Sequence, residues 1–136
     1  MASILIDTNA YVAFKKGLPE ALEIIQRAPT IALPVTVLGE LLAGFAVGSQ
    51  TERNRRELQA FLTSPRAQVL TVDELTAEVY ARVYRELRSK GRPIPTNDLW
   101  IAALALQHSA ALFTFDQHFA LVDGLIVGTN TAALGL

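Results

Sequence analysis

Four of the 13 acidic residues in this 136-residue chain sit where an acid is unexpected: Asp7, Glu40, Asp98 and Asp116. Asp7 ends the apolar run Ser3-Ile4-Leu5-Ile6. Glu40 interrupts an apolar stretch from Val35 to Leu42 that has no lysine or arginine near it. Asp98 opens a segment that continues Leu99-Trp100-Ile101-Ala102-Ala103, and Asp116 follows the run Leu112-Phe113-Thr114. Carboxylates gathered without a cationic partner repel one another and raise each other's pKa, so a cluster of them is stabilised by a metal cation. Donors that are all oxygen favour hard divalent ions, Mg²⁺ or Mn²⁺, over zinc or copper. An ion of that kind stabilises charge on phosphate oxygens and acidifies water for attack. The expected chemistry is therefore metal-dependent phosphoryl transfer or phosphodiester hydrolysis.

Each acid also has a plainer explanation. Asp98 in a first helical turn gains about 0.3–1 kcal/mol from the helix dipole. Asp7 and Asp116 could cap the segments that follow them, and Glu40 could reach solvent. The remaining acids raise no such question. Glu20, Glu23, Glu52, Glu57, Glu74, Glu78 and Glu86 belong to polar helix faces, Asp73 is an N-cap, and Asp123 precedes Gly124 in a turn.

Other chemistries find no support. There is no Gly-x-x-x-x-Gly-Lys loop, no Gly-x-Gly-x-x-Gly fingerprint and no nucleophile elbow. The chain has no cysteine, which removes disulfides, thiolate zinc sites and cysteine nucleophiles together. His108 and His118 are the two histidines. His108 closes an apolar helix and is expected to interact with its C-terminal carbonyls, while a surface role is expected of His118, close to Asp116.

The elements that must position these acids follow from periodicity. Ser3 to Ile6 reads as a buried strand stopped by polar turn formers, and Tyr11 to Ala28 as helix, broken into two pieces by Gly17 and Pro19. Thr30 to Leu33 is a second strand. Pro34 suits the first turn of a helix with Val35, Leu38, Leu41, Leu42 and Phe45 on its apolar stripe. Glu52 to Leu62 is a polar helix ended by Ser64-Pro65, and Gln68 to Val72 a third strand. Asp73 caps a helix in which Leu75, Val79, Val83 and Leu87 recur every four residues, until Gly91 and Pro93 stop it. Thr96 caps a buried, almost wholly apolar helix from Asn97 to His108. Ala111 to Thr114 and Leu125 to Val127 complete the strands.

Strands alternating with helices predict an α/β fold, a single three-layer domain spanning residues 1–136 with a parallel sheet covered on both faces. Asp7 and Asp116 would then stand at the carboxyl ends of strands, where such sheets bind ligands. The composition agrees with a well-filled core: 51% of residues are apolar, yet no run approaches the roughly 20 residues of a membrane span. Met1-Ala2-Ser3 shows no basic leader, and a cytoplasmic location is expected. Net charge is −1, so any nucleic-acid surface must come from local clustering of the 12 basic residues.

These motifs together resemble the PIN-domain nucleases, specifically the VapC-like toxins of type II toxin–antitoxin pairs, over nearly the whole chain. Ile4-Leu5-Ile6-Asp7-Thr8-Asn9 looks like the family's opening strand and first acid, and Glu40-Leu41-Leu42-Ala43-Gly44 like its second. Thr96-Asn97-Asp98-Leu99-Trp100-Ile101-Ala102-Ala103 is similar to the third and Thr114-Phe115-Asp116-Gln117-His118-Phe119 to the fourth. The resemblance implies a PIN-like, Rossmann-like sheet and an endoribonuclease dependent on Mg²⁺ or Mn²⁺. It also implies a homodimer inhibited by a small antitoxin inserted into the active-site groove. Carried over by position, Asp7, Glu40, Asp98 and Asp116 are the metal-binding acids, with Thr8, Asn9 and Thr114 orienting them by hydrogen bonds. The chain departs from the pattern after the fourth acid: some relatives place another acid there, and here Gln117 and His118 follow.

A basic segment, Arg82, Arg85, Arg88, Lys90 and Arg92, ends just before Asn97-Asp98 and could steer a phosphate backbone toward the acids, with Arg85, Arg88, Lys90 and Arg92 as RNA contacts. The plain alternative is a solvated helix face with Glu78 paired to Arg82. Arg53, Arg55 and Arg56 form a weaker patch. Tyr80, Tyr84, Trp100 and the phenylalanines fit a core or dimer face better than base stacking. The reading is hydrolysis of an RNA phosphodiester by metal-activated water. Its rivals are a catalytically silent module of the same fold that binds RNA or a peptide, and a small phosphatase. Asn9 stands where an aspartyl-phosphate enzyme would want its second acid.

Overall fold

The computed structural model describes residues 3–136; Met1 and Ala2, on which the leader reading partly rests, lie outside the described residues. Five strands form one parallel sheet: β1 (Ser3–Ile6), β2 (Thr30–Pro34), β3 (Ala67–Leu70), β4 (Ala111–Phe113) and β5 (Val127–Gly128). Their order is β3-β2-β1-β4-β5. Six helices connect them: α1 (Thr8–Lys15), α2 (Pro19–Arg27), α3 (Val35–Val47), α4 (Thr51–Leu62), α5 (Glu74–Ser89) and α6 (Thr96–Gln107). The expectation of an α/β three-layer fold around a parallel sheet holds. The chain steps outward from β1 to β2 to β3, then crosses back to β4 on the other side of β1. Because crossovers are right-handed, that reversal places α5 and α6 on the face opposite α1 to α4. The crevice between the carboxyl ends of β1 and β4 is thus the topological switch point of the sheet, the place where such folds bind ligands.

Burial explains the strand sequences. Ile4, Leu5 and Ile6 of β1, and Leu112 and Phe113 of β4, have no exposed surface, since both faces of a central strand are covered. β1 pairs with β4 through Ile4–Ala111, Leu5–Leu112 and Ile6–Phe113, which brings Asp7 level with Thr114. Helix α6 is buried along Leu99 and Ile101 to Ala105, and its three alanines allow close approach to its neighbours. Replacing Leu104 with alanine there would cost about 2–5 kcal/mol.

Several boundaries differ from expectation for local reasons. α1 starts at Thr8, not Tyr11, because Asp7 itself caps it by accepting from the Ala10 N–H at 3.0 Å. Pro95, not Thr96, is the N-cap of α6, and Thr96 is already helical. β3 stops at Leu70 instead of Val72, because its partner β2 ends at Pro34, opposite Leu70. Leu75 is 66% exposed despite its place in the every-fourth pattern of α5, whose buried side is Thr76, Val83 and Leu87. Arg82 faces Glu86, at 3.9 Å, instead of Glu78. Arg66 has a role the sequence did not reveal: its guanidinium donates to the carbonyls of Ile25 and Ala28 at the end of α2.

Candidate metal centre

Asp7, Glu40, Asp98 and Asp116 line one cleft of about 230 Å³, together with Thr8, Asn9, Pro95, Asn97, Ile101 and His118. Each acid arrives on a different element. Asp7 leaves β1 into α1, Glu40 projects from α3, Asp98 sits in the first turn of α6, and Asp116 caps the short 3₁₀ turn Gln117–Leu121 after β4. No lysine or arginine lines the cleft.

Asp7 is the most firmly held. One carboxylate oxygen accepts from the Ala10 N–H, and the Thr114 hydroxyl donates to the other. The Thr114 oxygen in turn accepts from the Asp116 N–H at 3.0 Å, so one hydroxyl ties the first acid to the last. Asp116 also accepts from the His118 N–H at 2.9 Å, which fixes the turn that carries it. Asp98 and Asp7 are both buried, and Glu40 is the exposed member at the rim.

The tightest grouping is not the four acids. Ligand atoms of Asp98, Asp116 and His118 lie within 4.8 Å of one another, and Asp7 and Glu40 line the cleft outside that group. The His118 Nδ1 is 3.3 Å from Asp98 Oδ2 and 3.1 Å from Asp116 Oδ1. The surface role expected of His118 is therefore corrected: half of the ring is exposed, but its Nδ1 bridges two acids from α6 and the β4 turn. The only sequence signal was the Asp116-x-His118 spacing, and the approach to Asp98 is purely tertiary.

The expected orienting residues divide. Thr114 holds Asp7 as described. The Thr8 hydroxyl is buried without a hydrogen-bond partner. Asn9 lines the cleft from an exposed position.

Burial pushes the Asp7 carboxyl above its ordinary pKa; the Thr114 and Ala10 hydrogen bonds oppose this, and the charges of Asp116 and Asp98 add to it. Burial likewise raises Asp98, opposed by the His118 contact and reinforced by Asp116. Such a set is unfavourable as bare anions and becomes favourable around a cation. Oxygen donors, the orphaned Thr8 hydroxyl and the absence of any lining ammonium or guanidinium all fit a divalent metal ion.

The basic residues lie elsewhere. None of Arg85, Arg88, Lys90 and Arg92 lines the acidic cleft. Lys90 is bound to Asp123 Oδ1 at 2.6 Å and donates to the Leu121 carbonyl. Arg88 borders a mostly apolar hollow with Tyr84, Leu87, Pro93, Ile94 and Leu99. Tyr80 stacks on Trp100 with ring centroids 4.1 Å apart, while Tyr84 and Phe115 are close to half exposed instead of core. No helix among the described residues is long and apolar enough to cross a membrane.

Known proteins share this fold. The family model described as the PIN domain matches residues 4–125. The chain is 34% identical to Ribonuclease VapC5 of Mycobacterium tuberculosis over 125 residues, covering 90% of each protein. Its fold superposes on the crystal structure of VapBC2 from Rickettsia felis bound to a promoter DNA fragment, with a TM-score of 0.81 and 30% identity, covering 93% of this chain and 97% of that one. A TM-score of 0.70 and 31% identity relate it to VapBC-5 of M. tuberculosis, described as a member of the VapBC family of toxin–antitoxin systems, with 94% and 97% covered. A family match over almost the full length, on a sheet whose switch point gathers four acids, means that the chain belongs to the PIN domain family.

Proposed function

We propose that the chain is a metal-dependent endoribonuclease, the toxin of a toxin–antitoxin pair, with Asp7, Glu40, Asp98 and Asp116 holding Mg²⁺ or Mn²⁺. The observation that carries the reading is the convergence of those four acids on one cleft with no lining cation. The relatives' names as VapC ribonucleases and VapBC complexes support the nuclease and the antitoxin. When bound, the ion would neutralise charge on a phosphate oxygen and acidify a water molecule for attack.

The protein's own groups prepare that cleft. Thr114 keeps Asp7 turned inward and sets the backbone of Asp116 with the same oxygen. Helix α6 delivers Asp98 from its first turn, where the helix dipole favours a carboxylate. Glu40, at the exposed rim, reaches the cleft from the opposite side of the crossover. The RNA backbone approaches along Arg85, Arg88, Lys90 and Arg92, all of them exposed. Replacing Arg85 and Arg88 with alanine should flatten the log–log salt dependence of RNA binding by about 1.4, two single-strand phosphate contacts at about 0.7 each; an unchanged slope removes them from the path. A homodimer and a cytoplasmic setting complete the proposal.

The deciding experiment is cleavage of mixed cellular RNA by purified protein in Mg²⁺, Mn²⁺ or EDTA, comparing the natural protein with Asp98→Asn. Cleavage that needs both the metal and Asp98 supports the enzyme. Folded, inhibitor-free protein that binds RNA without cutting it indicates a silent binding module instead.

A further inference from the structure

Four acids from distant elements account for a hard-metal site, and none of them accounts for the imidazole placed among them. His118 is held there in two ways. Its backbone N–H is bonded to Asp116, and its ring nitrogen Nδ1 stands between Asp98 Oδ2 and Asp116 Oδ1, at 3.3 and 3.1 Å. Half of the ring is exposed, so core packing does not dictate this pose.

A single N–H directs one good hydrogen bond, and here one nitrogen is nearly equidistant from two carboxylates on different elements. Neighbouring ligands of an octahedral ion with bonds of about 2.1 Å lie about 3 Å apart. The spacings from Nδ1 to both acids match that edge. Neutral imidazole is also a ligand that first-row transition ions accept readily, whereas Mg²⁺ prefers carboxylate and water oxygen.

Resting on the nuclease reading above, we propose that His118 is itself a metal ligand, its Nδ1 joining Asp98 and Asp116 in a mixed nitrogen–oxygen site that selects Mn²⁺ over Mg²⁺. The chain's departure after the fourth acid then has a chemical meaning. Where an additional carboxylate would make the site wholly oxygen, Gln117-His118 supplies nitrogen and shifts the preferred ion.

The test is pulsed electron spin-echo spectroscopy of the protein loaded with Mn²⁺ alone, alongside calorimetric titrations with Mn²⁺ and with Mg²⁺. The natural protein and His108→Gln should both show imidazole ¹⁴N modulation, and His118→Gln should lack it. His118→Gln should also bind Mn²⁺ about tenfold more weakly or worse, the scale of loss expected for groups that tune a metal site. Its Mg²⁺ affinity should change less than about threefold, because Mg²⁺ gains little from imidazole. Tight Mn²⁺ binding by the natural protein without ¹⁴N modulation overturns the proposal, leaving His118 as a hydrogen-bond donor and the nuclease reading intact. Equal losses for the two ions overturn the selectivity. Failure of the natural protein to bind either ion overturns the metal reading together with it.

Discussion

Asp7 and Asp73 have the same local task and opposite surroundings. Each is an N-cap with extended backbone, and each accepts from the backbone N–H three residues on at 3.0 Å, Ala10 for α1 and Thr76 for α5. Each also receives a threonine hydroxyl, from Thr114 and Thr76 respectively. Yet Asp73 is held below its ordinary pKa by the Thr76 N–H first, then by the Gln107 and Thr76 side chains, whereas burial drives Asp7 above it. The solvated cap gains stability from its charge. The buried cap, facing Asp98 and Asp116, loses stability to the same charge unless something neutralises it. A capping carboxylate alone therefore says nothing about function; what it faces besides the helix does.

The largest expected contrast is in catalysis. Asp7→Asn keeps an oxygen for the Ala10 N–H, so α1 stays capped, but RNA cleavage should fall by about 10²-fold or more, beyond the 10–100-fold typical of groups that merely orient metal ligands. Asp73→Asn should stay within about twofold. A folded Asp73→Asn protein with a large loss of cleavage would break the comparison.

Thermal melts with added cation sharpen it next. Divalent ion at about 100 times its Kd should stabilise the natural protein and Asp73→Asn by about 2.7 kcal/mol. Asp7→Asn should show little of that shift, and an undiminished shift would place the ion away from Asp7.

Without cation the order reverses. Asp73→Ala should lower the Tm by roughly 3–5 °C through loss of the cap, while Asp7→Asn should melt at or above the natural protein. A lower Tm for Asp7→Asn in EDTA would show that its charge is already compensated.

The smallest effect is on acid stability. The Asp73 carboxyl has a lowered folded pKa, so its stabilisation is complete above the unfolded value near 3.8 and disappears as pH falls through the folded value. The Tm gap between the natural protein and Asp73→Asn should therefore be constant from pH 7 to about 5 and close below about 4. A gap that does not narrow at all below about pH 4 would assign the effect to shape instead of charge.

How much of this the sequence disclosed depended on whether the signal was local. The continuous apolar runs Ile4 to Ile6 and Leu112 to Phe113 announced central strands, because a strand covered on both faces has nowhere to place a polar residue. The four acids stood out for the same reason, as charges in apolar surroundings. Periodicity misled where it ignored the other layers: Leu75 fits the α5 repeat, but its neighbour Thr76 is the residue that turns to α6, bonded to Gln107, and Leu75 lies exposed. Thr8-Asn9 read as turn because the cap that makes them helical is Asp7, whose second role hid its first. The ring of His118 above Asp98, and the pairing of Lys90 with Asp123, join residues 20 and 33 positions apart and left no local trace.

One hydroxyl bond has a consequence for synthesis. Thr114 and Asp7 are 107 residues apart, and β1 cannot pair with β4 until both have been made. At about 5–20 residues per second, a ribosome leaves the first acid waiting on the order of 5–20 s for its partner. For most of that interval the nascent chain holds Asp7 and Glu40 without Asp116, and a messenger cut upstream of the codon for Thr114 encodes a chain that never assembles the cleft. Translation itself thus serves as a timer, withholding the proposed activity from every unfinished copy.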